Sequence, residues 1–215
     1  MTNVKAVLQV FAKAPIPGQV KTRLISALGV NRATHLYMRL VHHTLITAIR
    51  SSFEHVELWC SPAPTHDFFS RCAATYGISL RTQKGLDLGA RMAHALRDGL
   101  SSHDCAVLIG CDCPALTSAD LDQSARLLSE GYDAALGPAQ DGGYVLIGLT
   151  KFSPFLFNDI PWGTDSVLGL TRTRLSALRW RWHELPERWD VDRPGDLFKS
   201  RASPRARHSK RDTRG

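Results

Sequence analysis

The sequence predicts an α/β fold in three layers, with a mostly parallel central sheet carrying helices on both faces. Three observations carry that prediction. Apolar runs of strand length alternate with longer segments of helical period along most of the chain. None of the apolar runs is long enough to span a membrane, so they are read as core strands. A chain of 215 residues with 43% apolar content supplies one domain with enough side chains to cover such a sheet.

Taken in order, residues 4–11 (VKAVLQVF) read as a buried strand. Residues 31–50 place Ala33, Leu36, Tyr37, Leu40, Val41, Leu45, Ala48 and Ile49 on one stripe, a helix with Asn31 as its expected N-cap. His42 and His43 lie within it without a metal-spaced partner, one expected toward solvent and one on the flank of the stripe. A strand at 55–60, a helix near 64–75, a short strand at 78–82, a helix at 88–100 and a strand at 105–110 follow. Thr117 and Asp120 form a capping box that opens a helix to about Glu130, and strands at 133–138 and 144–149 come next. Parallel sheets of this kind bind ligands beyond the carboxyl ends of their strands, so chemistry is sought just after each strand.

The first such place is APIPGQVKTRL, Ala14 to Leu24. Aligned on the phosphate loop of NTPases, Lys21-Thr22 leaves Val20 and Pro15 where glycines are needed, and proline has no N–H to offer a phosphate. The dinucleotide fingerprint fails because Gly18 stands alone. What remains is a rigid loop carrying Lys13, Lys21 and Arg23 to one sheet edge, suited to an anionic ligand or else a solvated face.

In LIGCDCPAL, Asp112 follows a strand directly and Pro114 turns the chain, so the carboxylate is expected in the ligand crevice as a hard donor for Mg²⁺ or Mn²⁺. The plainer reading is a turn cap, but Thr117 already caps the next helix. In RWDVDRPGDL, Asp190 and Asp192 alternate about Val191 and point the same way in an extended segment, where a divalent cation relieves their repulsion. The alternative is a solvent-facing pair on an edge strand. Asp196 is assigned to the dipole of the last helix. In AQDGGYVLIGL, Gly142-Gly143 allows either close approach of a ligand or acceptor or a tight turn between neighbouring strands, and Asp141 is a candidate base or acceptor contact.

The location of the charge bears on a nucleic-acid reading. The chain has a net charge of +7, yet seven of its 27 Lys and Arg and one of its 20 Asp and Glu lie in residues 199–215, leaving 20 against 19 elsewhere. The basicity therefore belongs to a tail that is read as disordered, and residues 1–198 as the domain. Such a tail suits weak contact with nucleic acid or anionic lipid or, more simply, an incidental solubilising end, and its lack of interleaved aromatics argues against sequence-selective nucleic-acid binding. Five cysteines without paired spacing and no signal peptide point to a reducing cytoplasm, and Cys111-x-Cys113 alone is a weak metal signal.

With these residues assembled, the chain resembles the nucleotide-diphospho-sugar transferase fold of GT-A type, a Rossmann-type three-layer sandwich. Within it, the chain is similar to a bacterial family of glycosyltransferase-like proteins, formerly a domain of unknown function, some members of which are associated with arsenosugar biosynthesis. The motifs that carry this are FAKAPIPGQVKTRL, DLGARM, GCDCPALT, DGGYVLIGL, PWGTDSVL and WDVDRPGDL, from Phe11 to Leu197. Molybdenum cofactor guanylyltransferase and phospholactate guanylyltransferase are more distantly similar.

The resemblance implies that Ala14, Pro17 and Gly18 lie along a nucleotide, with Lys21 and Arg23 on its phosphates. Asp87, Leu88, Gly89 and Arg91 would border base and ribose. Asp112 takes the place of the metal-binding aspartate, but Cys113-Pro114 replaces the usual second acid, so Asp190 and Asp192 are expected to complete the site for Mg²⁺ or Mn²⁺. Thr164, Asp165 and Ser166 would sit at a helix start on the acceptor side with Gly142 and Gly143.

Two reactions suit such a site. Glycosyl transfer from a nucleotide-sugar to a small acceptor would use Lys21, Arg23 and the metal on the departing diphosphate, with Asp141 or Asp165 as base for an inverting course. Nucleotidyl transfer from an NTP to a phosphate or carboxylate acceptor is the alternative and needs no base. A non-catalytic nucleotide- or nucleic-acid-binding protein is the reading from another class; it predicts salt-sensitive binding through the tail.

Overall fold

The computed structural model describes residues 4–198. Seven strands form one sheet: β1 (Ala6–Lys13), β2 (His55–Ser61), β3 (Ser79–Thr82), β4 (Cys105–Ile109), β5 (Ala134–Pro138), β6 (Tyr144–Leu149) and β7 (Trp182–Glu184). Their order is β3-β2-β1-β4-β6-β5-β7. All neighbours run parallel except β6, which is antiparallel to both β4 and β5. The expected α/β class with a mostly parallel sheet is what the chain adopts. β1 and β4 are both fully buried apart from the two end residues of β1, which is why β4 reads as a continuous apolar run and β1 as one interrupted only by the buried Gln9.

The helices are α1 (Ile25–Leu28), α2 (Val30–Ile49), α3 (Asp67–Tyr76), α4 (Leu88–Leu100), α5 (Ser118–Ser129) and α6 (Val167–Ala177). One core layer gathers Leu8, Val10, Tyr37, Val41, Leu45, Phe68 and Leu121 on the α2/α3/α5 face. The opposite layer gathers Val7, Phe11, Trp59, Leu96, Ile147 and Leu175 on the α4/α6 face. Successive residues of β1 thus serve opposite layers, as strand alternation requires.

Several expectations need adjustment. Helix α2 begins at Val30 with Gly29 at its cap position, at a φ of 76° and with no side-chain cap, so Asn31 is a first-turn residue instead. Ile49 is 44% exposed and Leu36 only half-buried, while Thr34 and Thr44 complete the buried stripe. His42 is half-buried against Tyr76 and His43 is exposed, as the pattern implied. The capping box of α5 is present, with Thr117 and Asp120 exchanging hydrogen bonds. Strand β7 has no signature in the sequence: three residues at a sheet edge are too few for periodicity to register. The basic segment 199–215 lies outside the described residues.

Candidate active site

The strand order reverses direction of travel at β1 and β4, since β1 leads through α2 outward to β2 and β4 leads through α5 to the other half. Crevices form at such switch points. Here a cleft of about 620 Å³ opens beyond the carboxyl ends of these strands. Its walls include Lys13, Lys21 and Arg23 from the first loop, Cys111 and Asp112 after β4, and Asp192. Gln83, Asp87, Leu88 and Arg91 close it from the start of α4.

Lys21 is the centre of this arrangement. It holds a φ of 49°, a left-handed conformation unusual for a side-chain-bearing residue, and its side chain is 4% exposed. The strained backbone delivers the ammonium inward, where Nζ lies 2.9 Å from Asp112 Oδ1 and 2.5 Å from the Val191 carbonyl. Three chain segments far apart in sequence therefore converge on one cation. The segment carrying Val191 is held there by several bonds. The Val191 N–H donates to the Asp112 carbonyl at 2.9 Å, and the Cys113 thiol donates to the Trp189 carbonyl at 3.2 Å. Arg188 grips Asp120 with two nitrogens, at 3.0 and 2.6 Å. Burial pushes the Asp120 carboxyl up, but hydrogen bonds from Arg188 and Thr117 prevail and hold it below its ordinary value.

Val191 packs into a small cluster with Leu24, Ala33 and Leu40, leaving Asp190 and Asp192 flanking it. Arg23 forms an ion pair with Asp192. Asp190 is half-buried, and burial, followed by the neighbouring Asp141 carboxylate, raises it to about 6. Its own backbone N–H and Lys21 oppose that rise, and Asp112 adds to it. The charges of Asp112 and Asp141 thus both act on Asp190, each from a different loop.

Among the described residues, no three His, Cys, Asp or Glu side chains are grouped to hold a metal by themselves. Magnesium is commonly held by one or two carboxylates, with substrate phosphates completing its shell. Asp112 lines the cleft, and Asp190 is raised first by burial and then by the Asp141 charge, with Asp112 a smaller contributor; a divalent cation would relieve the part due to repulsion. Asp192 is engaged by Arg23 instead. The two cysteines beside Asp112 are buried thiols, both shifted upward by burial, and serve packing rather than ligation.

Of the residues expected along a nucleotide, Lys21, Arg23, Asp87, Leu88 and Arg91 line the cleft, whereas Ala14, Pro17, Gly18 and Gly89 do not. Ala14 is buried and bonds the Ser61 carbonyl, and Pro17 and Gly18 form an exposed turn. Gly89 is needed for packing: a Cβ there would collide with the Trp162 indole. Asp87 caps α4 by accepting from the Ala90 N–H at 2.7 Å. Arg91 reaches back to the Gly85 carbonyl at 3.1 Å, fixing the loop before it.

Two lining residues escaped the sequence reading. Gln83 ties the strand ends together by donating to the carbonyls of Trp59 and Ala12, at 2.8 and 3.2 Å. The buried Tyr37 hydroxyl accepts the Lys13 N–H at 2.6 Å and receives the Cys111 thiol at 3.5 Å. Tyr37 was visible only as one of an apolar stripe; that it is Tyr and not Phe was the available signal.

The residues expected on the acceptor side form a separate corner, outside the lining of the cleft. The turn between β5 and β6 places Gly142 at a φ of 85°, and a Cβ there would collide with the backbone of Asp165. The chain that approaches these glycines so closely is therefore the protein's own. Leu168 N–H donates to the Gly142 carbonyl at 2.9 Å, and Asp141 Oδ1 accepts the Gly143 N–H at 3.0 Å. Thr164 donates to the Pro161 carbonyl and shares a hydrogen bond with Ser166, both at 2.8 Å, just before α6. The expected helix start is present, with Thr164, Asp165 and Ser166 exposed.

Fold and cleft together define a protein of the nucleotide-diphospho-sugar transferase fold. A structure from Desulfovibrio desulfuricans G20, provisionally described as a nucleotide-diphospho-sugar transferase, is 32% identical, with a TM-score of 0.85 over 96% of this chain and 92% of that one. The chain belongs to the family described as "Uncharacterized protein conserved in bacteria (DUF2064)", whose model matches residues 44–164. Two further structures share the fold at 12% identity. CMP:2-keto-3-deoxy-manno-octonic acid synthetase, complexed with CTP, has a TM-score of 0.59 over 92% of this chain and 97% of its own. Glucosyl-3-phosphoglycerate synthase from Mycobacterium tuberculosis, complexed with Mn²⁺, UDP and glucosyl-3-phosphoglycerate, has a TM-score of 0.56 over 92% of this chain and 75% of its own. No curated protein sequence matches the chain.

Proposed function

We propose that this chain is a cytoplasmic glycosyltransferase that binds a nucleotide-diphospho-sugar in the β1/β4 cleft and passes the sugar to a small acceptor. The observation that carries the reading is the junction of Lys21 with Asp112 and the Val191 carbonyl inside that cleft. A buried cation held between one carboxylate and a backbone carbonyl is suited to a diphosphate, which brings the negative charge to replace Asp112 as partner of Lys21. Arg23 and Lys13 extend the positive surface along the same wall. Asp112 and Asp190 would hold Mg²⁺ or Mn²⁺, which supplies Lewis-acid stabilisation of the departing diphosphate.

The acceptor enters from the corner of Gly142, Gly143, Thr164 and Ser166. Asp141 is the base for an inverting course, since it is exposed and its charge acts on Asp190. Asp165 is the other candidate at this corner. Ala14, Pro17 and Gly18 shape the loop that presents Lys21, and Gly89 seats α4.

A second reading is favoured by one feature of the same corner. Thr164 and Ser166 present hydroxyls at the N-terminus of an 11-residue helix, an arrangement that suits an acceptor phosphate or carboxylate. Such an acceptor is already a nucleophile, so nucleotidyl transfer from an NTP would proceed without Asp141 as base. Titration of the full chain with UDP-, GDP-, CDP- and dTDP-sugars and the four NTPs, each with and without Mn²⁺, separates the readings. Mn²⁺-dependent thermal stabilisation by a nucleotide-sugar is expected. Stabilisation by an NTP alone selects nucleotidyl transfer, and no response to any donor rejects both.

A further inference from the structure

A second hollow of about 540 Å³ lies on the outer face of α2, apart from the cleft residues. Its floor is apolar: Leu28, Leu36 and Leu197 pack against the cluster around Leu24 and Val191, and Phe198 stands beside them at 73% exposure. Its rim is cationic. Arg32, His35 and Arg39 are all exposed on one side of α2, spanning roughly 10 Å at about 1.5 Å per residue. Neither arginine has an ion-pair partner among the described residues. Asp196, the nearest acid in sequence to Phe198, directs its carboxylate to the N–H groups of Asp192 and Arg193.

The sequence concentrates charge here to an unusual degree. The first 53 residues contain seven Lys and Arg and no Asp or Glu, and the 17 residues after Phe198 contain seven Lys and Arg and one Asp. The hollow is lined by residues of the first of these segments together with Leu197 and Phe198.

We propose that this face docks on an anionic lipid surface, a role beyond the transferase reading of the cleft. Arg32, His35 and Arg39 meet lipid phosphates while Phe198 and the leucines enter the headgroup boundary. Basic charge alone would suit any polyanion. The exposed phenyl ring beside an apolar floor, however, gains nothing from a phosphodiester backbone and gains from a bilayer. Charge and an apolar insertion together supply the two signals that lasting membrane attachment requires.

The test is flotation of the full chain with vesicles of phosphatidylcholine, with and without about one-third phosphatidylglycerol. Binding to the anionic vesicles only is expected, weakening as salt rises. Arg32→Gln with Arg39→Gln should lower it roughly tenfold or more, and Phe198→Ser roughly fivefold. All three side chains are exposed, and an unchanged thermal midpoint verifies folding; the single Arg variants replace the double one if its midpoint falls. Equal binding to neutral vesicles, or full affinity in the Arg variants, overturns the proposal. So does a DNA oligonucleotide that competes fully while Phe198→Ser leaves vesicle binding unchanged, which assigns the face to nucleic acid.

Discussion

The two halves of the candidate site are built by different means. On the nucleotide side, long side chains from remote segments converge: Lys21, Asp112 and Arg23 with Asp192 meet across about 170 residues of chain. On the acceptor side, the contacts are backbone against backbone, with Gly142 beneath Asp165 and short hydroxyls turned toward each other. The first arrangement recognises charge; the second sets a shape. Changes on the nucleotide side should therefore alter binding and its metal and pH dependence. Changes on the acceptor side should alter stability and turnover together.

The largest effect is expected from Asp112→Asn. It removes the carboxylate facing Lys21 while preserving the turn, and should lower kcat/KM by roughly 10²–10³ and abolish Mn²⁺-dependent donor binding by calorimetry. An Asp112→Asn protein with wild-type Mn²⁺ dependence would place the metal elsewhere. Next is Gly142→Ala, where a positive φ combines with collision against the Asp165 backbone. A loss of about 1–3 kcal/mol in denaturant unfolding is expected, with kcat falling alongside. Unchanged stability would mean that the corner is pliable and the contrast overstated.

Lys21→Met sharpens the nucleotide side. Donor affinity should fall roughly 10- to 100-fold by the loss of a buried cation on phosphate. Affinity for free Mn²⁺ should rise, because Asp112 no longer has an ammonium as partner. The smallest effect is with pH. A raised carboxyl means the folded protein holds the Asp190 proton more tightly than the unfolded chain. Its contribution to stability is therefore lost as pH rises from the ordinary 3.8 to about 6. Metal binding needs the carboxylate and should strengthen through the same window and level off above it. In Asp190→Asn that dependence should flatten; a persistent inflection near 6 would belong to another group.

The glycines show what a motif leaves open. Gly142-Gly143 allowed either a ligand's approach or a tight turn; the turn between β5 and β6 is present, and the close approach is made by this chain's own Asp165 backbone. Gly89, expected beside base and ribose, meets the Trp162 indole instead. Asp190 and Asp192 flank the buried Val191, yet Arg23 takes Asp192 and leaves Asp190 under the charges of Asp141 and Asp112. That division depends on loops joined only by folding.

What the sequence determined by itself is therefore local and periodic: the strand and helix rhythm, the capping box at Thr117, and a strand end bearing Asp112. These follow from backbone sterics and from apolar patterning over a few residues, which neighbours in sequence suffice to set. The tertiary structure decided the antiparallel insertion of β6 between β4 and β5 and the edge strand β7. It also decided the inward turn of Lys21 onto Asp112 and Val191. Those features depend on pairings between distant segments, whose energies no short stretch of sequence contains.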